Sequence, residues 1–100
     1  MRLNEFEIEC ITNLARLHFG SGVKVYLFGS RTINLQKGGD IDLFISNKDE
    51  GHFNLRTKIS FITDLIEEIG EQKIDVVFDK KDKRNSEFFR TIEQTKVQLC

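Results

Sequence analysis

The sequence predicts a small α/β (α+β) domain: a mixed β-sheet with helices packed on one face. Three observations carry that expectation. Apolar residues recur at helical spacing in two separate stretches, three short runs rich in β-branched and aromatic residues alternate with those stretches, and glycines punctuate the junctions. With 100 residues and no proline-rich, repeated or low-complexity segment, residues 1–100 read as one domain with one modest core.

In the first element the residues Leu3, Phe6, Cys10, Leu14 and Leu17 lie three or four apart, and Ile8, Ile11 and Ala15 widen the stripe. This is an amphipathic helix, opened by a capping box of Asn4 and Glu7 and stopped at Gly20. Val23 to Phe28 is too short for a helix and reads as a strand ending on Gly29-Ser30. A helical turn from Ser30 to about Leu35 and a flexible link through Gly38 and Gly39 then lead into the strand Asp40 to Ile45. The loop from Ser46 to Gly51 is polar and expected to be exposed. From Asn54 to Ile69 the set Leu55, Ile59, Ile62, Ile66 and Ile69, reinforced by Phe61 and Leu65, gives the clearest helix, with Gly70 as its stop. Lys73 to Phe78 is the third strand. The run Asp79 to Arg84 reads as a solvated loop, Asn85 or Ser86 caps a last helix holding Phe88, Phe89 and Ile92, and the final VQLC adds an edge strand.

The balance of 15 basic and 16 acidic residues carries no broad basic footprint of the kind nucleic-acid binders need. No apolar run approaches a membrane span, and acidic residues occupy the N-terminus where a signal peptide would be apolar, so a soluble cytoplasmic protein is expected. Cys10 and Cys100 show no metal-ligand spacing; Cys10 reads as a core residue and Cys100 as a terminal thiol. His18 and His52 are isolated and read as surface or helix-end residues.

The chemistry is concentrated in Val23–Ile45 and one later strand. Alternation along a strand puts Asp40 and Asp42 on one face, with Cα atoms roughly 6.6 Å apart, and Ile41, Leu43 and Ile45 on the other. In the third strand Ile74, Val76 and Phe78 share a face, so Asp75 projects to the side of Asp40 and Asp42. If helices cover the apolar face, the aspartate face is left open. Three carboxylates there suit a hard cation such as Mg²⁺, which takes oxygen ligands and shares its coordination with substrate phosphates. Two ions about 3.5 to 4 Å apart, bridged by the Asp-x-Asp pair, are the arrangement of two-metal catalysis. Gly29 and Ser30 supply backbone N–H groups for phosphate oxygens, and Arg31 a charge-assisted contact.

The segment LFGSRTINLQKGGDIDLFI followed by KIDVVF resembles the minimal nucleotidyltransferase (MNT) branch of the DNA polymerase beta-like superfamily. Nine residues separate Ser30 from Asp40 where the minimal family usually has ten, and Asn34 stands where relatives commonly have glycine. The resemblance implies a mixed sheet with helices on one side, Gly29 and Ser30 as the phosphate-binding turn, Asp40 and Asp42 as the metal pair and Asp75 as the third carboxylate, which places the metal on the nucleophile side. It further implies ATP as substrate and a helical HEPN-family toxin as partner. In such pairs the MNT protein acts as antitoxin by transferring AMP to a tyrosine of the toxin, and a chain this short needs an acceptor surface from another protein. Two other readings stand beside this one: an inactive antitoxin that neutralises its partner by steric contact, and a subunit of a small-molecule nucleotidyltransferase. Acceptor, nucleotide preference and homo-oligomeric state stay open at this point.

Overall fold

A computed structural model describes residues 3–29, 41–81 and 86–100. In chain order these form α1 (Glu5–Phe19), β1 (Lys24–Phe28), β2 (Ile41–Ser46), α2 (Leu55–Ile69), β3 (Ile74–Phe78), α3 (Glu87–Thr95) and β4 (Val97–Gln98). The four strands make one mixed sheet in the order β3-β2-β1-β4. β1 runs antiparallel to β2 and to β4, while β2 and β3 are parallel, as the intervening helix α2 requires. The expected helical turn after Ser30 and the link to Asp40 lie outside the described residues.

Local chemistry sets the helix boundaries. The Asn4 side chain accepts from Glu7 N at 2.8 Å while Asn4 N donates to the Glu7 carboxylate at 3.1 Å, the reciprocal cap the sequence predicts. Asn54 Oδ1 accepts from Thr57 N at 2.9 Å, and Ser86 Oγ accepts from Phe89 N at 3.1 Å. Gly20 and Gly70 close α1 and α2 at φ of 103° and 94°, a region closed to most side chains.

α1 and α2 lie together on the face formed by Val25 and Leu27, by Ile41, Leu43 and Ile45, and by Ile74 and Val76; with Phe19, Phe53, Phe61 and Leu65 these make the main core. Both helices are rotated from the expected orientation. In α1 the buried line is Ile11, Ala15 and Phe19, whereas Leu17 is 73% exposed and Phe6 also faces solvent. In α2, Phe61 and Leu65 are the fully buried pair, and Leu55 and Ile59 are exposed. Aromatic volume decides the rotation. Phe19 packs on Phe61 at 5.2 Å between centroids, on Phe78 at 5.5 Å and on Phe53 at 6.2 Å, and these rings bury more apolar area than the leucines and isoleucines they displace.

The aspartate-bearing face differs from the expectation of an open surface. α3 covers part of it, joining Ile92 to Phe28 and Phe44 in a second core flanked by Tyr26, Val77 and Phe89. Phe44 meets Phe89 edge-on at 5.4 Å. Two helices therefore pack on one face and a third on the other. The reason lies in β2 itself: Phe44 follows the same side as Asp42, and a strand apolar on both sides needs cover on both.

Smaller corrections have equally local causes. Asp79, expected in a solvated run, is 8% exposed: directly after β3 it donates its N–H to Ile45 O at 2.8 Å and its carboxylate accepts from Ser46 Oγ at 2.9 Å, which holds it against β2. The Ser46–Gly51 loop is tied down where Asn47 Nδ2 donates to Phe19 O at 2.9 Å, at the end of α1. Cys100, the terminal thiol, is held in place: its backbone bonds to Val25 beside β4 and its side chain lies against the main core. Cys10 also packs against that core, half-buried, and burial raises its thiol pKa above the ordinary 9.0, with Glu68, Glu9 and Glu7 adding to the effect. His18, at the end of α1, bonds Asp64 of α2 at 2.8 Å, whereas His52 is exposed. No helix among the described residues is long and apolar enough to cross a membrane.

Candidate active site

The sheet registers assemble the site. Asp42 of β2 is the neighbour of Phe28 across the antiparallel pair and of Asp75 across the parallel pair, so Phe28, Asp42 and Asp75 form one row across three strands. The next row on the same face is Tyr26, Phe44 and Val77. One end of the face is thus acidic and the adjoining part is aromatic and covered by α3. Side chains of the same row stand about 5 Å apart, close enough to share one cation.

Asp75 is exposed and has no hydrogen-bond or ion-pair partner among the described residues; Asp42 is half-buried. Like charges side by side are mutually destabilising, and a cation between them removes that cost. Gly29 follows β1 directly at φ 80°. A Cβ on it would lie 2.5 Å from Asp42 Oδ2, so the chain passes against this carboxylate at a distance only glycine permits. The glycine expected to approach phosphate is also the residue that makes room for Asp42.

Of the sequence-predicted site residues, the structure brings together Gly29, Asp42 and Asp75. Ser30, Arg31 and Asp40 lie outside the described residues. Among the described residues no third carboxylate, histidine or cysteine joins Asp42 and Asp75 in a metal-binding group. The donor set present still fits a hard cation: two carboxylates in register, one half-buried and one exposed.

A groove of about 480 Å³ opens beside the pair, with Phe28 and Phe88 on one side and Lys58 and Ile62 of α2 on the other. Phe88 and Lys58 are site residues that sequence reasoning missed. Phe88 is 56% exposed and meets Phe28 edge-on at 6.1 Å. Its signal was the Phe88-Phe89 doublet, which puts one ring into the second core and leaves the other at its rim; Lys58 had no distinguishing signal.

Fold and site together define an α+β domain built around paired carboxylates on neighbouring strands. The family model for polymerase beta nucleotidyltransferases matches residues 11–100, and the chain belongs to that family. Among solved structures it is similar to a chain of the toxin–antitoxin pair MntA–HpeT, with TM-score 0.70 and 18% identity, over 98% of this chain and 73% of that one. That structure is of a mutant in which two aspartates, two positions apart, are replaced by glutamate. No curated protein sequence matches the chain.

Proposed function

We propose that the protein is a Mg²⁺-dependent adenylyltransferase that transfers AMP from ATP to a hydroxyl, a tyrosine of a HEPN-type toxin, and thereby acts as its antitoxin. The observation that carries this reading is the pairing of Asp42 with Asp75 across β2 and β3, with Gly29 packed against Asp42. Support comes from the family to which the chain belongs and from the toxin–antitoxin pair whose fold it shares. The doubly substituted aspartates of that structure have the spacing of Asp40 and Asp42 here.

Magnesium would be held by Asp42 and Asp75, with Asp40 completing the set, and would supply charge neutralisation at the triphosphate and a more acidic acceptor hydroxyl. The residues of the chain do the rest. The backbone at Gly29 and Ser30, with Arg31, binds the phosphates. Asp75, exposed at the rim, accepts the proton of the incoming hydroxyl. The hydroxyl oxygen bonds the α-phosphorus as the bond to the bridging oxygen breaks, and pyrophosphate leaves. An ATP-consuming reaction of this kind carries the expectation of a cytoplasmic protein.

The reading is tested by incubating the protein with ATP, Mg²⁺ and its co-encoded neighbour, then mapping the neighbour by mass spectrometry. One AMP on a tyrosine is expected with wild type and none with Asp42→Asn. An unmodified neighbour, or equal modification by the variant, refutes it.

A further inference from the structure

The groove beside the aspartates does not stop at them. A second groove of about 260 Å³, between Asn54, Lys58, Phe78 and Lys80, shares Lys58, Val76 and Val77 with the first. Residues from both faces of β3 line these spaces: Ile74 and Val76 from one face, Asp75 and Val77 from the other. A groove lined from both faces of a strand lies along that strand's edge. β3 is the terminal strand of the sheet, and among the described residues it pairs only with β2.

The ladder fixes which backbone groups face the edge. Ile41 N donates to Lys73 O and Asp79 N donates to Ile45 O, so the odd-numbered residues of this segment bond inward. By alternation, Ile74 and Val76 turn their N–H and C=O groups outward, along the groove, and Phe78 its N–H, its carbonyl accepting from Lys80 N at 3.1 Å; this is the arrangement that accepts an added strand.

Charge is distributed unevenly along this edge. At the Phe78 end, Lys58 and Lys80 stand 5.0 and 5.9 Å from the centre of the Phe78 ring, and neither has an ion-pair partner among the described residues. At the other end lie Asp75 and Asp42. The exposed side chain of Leu55 also lines the lysine end.

We propose that the β3 edge binds the acceptor as an extended, acidic, hydroxyl-bearing protein segment. The segment adds as a strand to Ile74–Phe78, its carboxylates meet Lys58 and Lys80, and its hydroxyl comes to lie beside Asp75. Backbone pairing supplies affinity that depends little on sequence, and the two lysines select charge. This rests on the adenylyltransferase reading for the purpose of the site, but the binding itself needs no catalysis.

The test uses the full chain with poly(Glu,Tyr) as probe and poly(Lys,Tyr) as its opposite. Binding is read by hydrogen exchange at the amides of Ile74, Val76 and Phe78, and label transfer from ATP is read separately. Poly(Glu,Tyr) is expected to slow exchange at these three amides in wild type and equally in Asp42→Asn. The surface double variant Lys58→Glu/Lys80→Glu should bind it about tenfold or more weakly, the loss expected for two charge contacts, and should prefer poly(Lys,Tyr). Val76→Pro, which removes one outward N–H at an edge position, should also lose the protection.

Protection in wild type and in Asp42→Asn alike, with or without transfer, upholds the docking edge, while the enzymatic reading stands or falls on transfer to the co-encoded neighbour. No protection by poly(Glu,Tyr), or affinity unchanged by the charge reversal, overturns the proposal. So does concentration-dependent protection of the edge without peptide, because the occupant would then be a second copy of this chain.

Discussion

Replacing Gly29 with alanine separates what the turn does for the fold from what it does for the site. Gly29 sits at φ 80°, where a side chain costs about 1–3 kcal/mol in backbone strain. An added Cβ would stand 2.5 Å from Asp42 Oδ2, and the oxygen must retreat about 0.9 Å to reach the 3.4 Å at which ordinary contact begins. A displacement of that size at a catalytic group costs about a hundredfold in rate. Gly70 provides the control: its φ of 94° is equally closed to side chains, but a Cβ there meets nothing within 4 Å. Both variants should lose about 1–3 kcal/mol, read as about 4–8 °C in Tm for each kcal/mol. AMP transfer should fall about a hundredfold in Gly29→Ala and stay near wild type in Gly70→Ala. Equal activity of the two variants would show that the contact between Gly29 and Asp42 does not position the carboxylate.

Three further predictions concern the fold. Ile92→Ala should cost about 2–4 kcal/mol in urea unfolding, because it opens a cavity against Phe28 and Phe44; a loss below 1 kcal/mol would mean that α3 does not pack on the aspartate face. Asn54→Ala, which removes the cap bonds to Thr57 N and Oγ1, should cost about 1 kcal/mol, whereas Asn54→Asp should be near neutral. The Cys10 thiol holds its proton longer in the folded chain than in the unfolded one, so its contribution to stability is complete below pH 9 and is lost as pH rises above it. Urea unfolding between pH 8 and 10.5 should show a steeper alkaline decline in wild type than in Cys10→Ala, and parallel curves would contradict it.

Particular residues explain how far the sequence could be read. The period of two in β2 and β3 is enough to put Asp75 on the same face as Asp42, opposite Leu43 and Ile45 and opposite Ile74 and Val76, whereas their place side by side in one row comes from the pairing of the two strands. The cover over Phe44 does have a mark in the sequence: Leu43-Phe44-Ile45 is apolar without interruption, as a strand buried on both sides is. Helix rotation is not legible in the sequence, for a different reason. Leu17, Leu55 and Ile59 fit a helical stripe as well as their neighbours do, and only tertiary packing of Phe19 on Phe61 decides between two stripes about one residue apart. Asp79 looked like part of a charged run because its partner, Ser46, is distant in sequence and becomes a neighbour only when β2 and β3 pair. Lys58 reaches the site the same way, from a helix that crosses between the two parallel strands.

In the proposed reaction Asp42 and Asp75 act together to move a nucleotidyl group. ATP labelled at the α-phosphate, compared with ATP labelled at the γ-phosphate, tests it most directly with the co-encoded neighbour as acceptor and Mg²⁺ present. Only the α-label should be transferred, and Asp42→Asn and Asp75→Asn should each abolish transfer while retaining a folded Tm. Transfer of the γ-label, or undiminished α-label transfer by either variant, would contradict it.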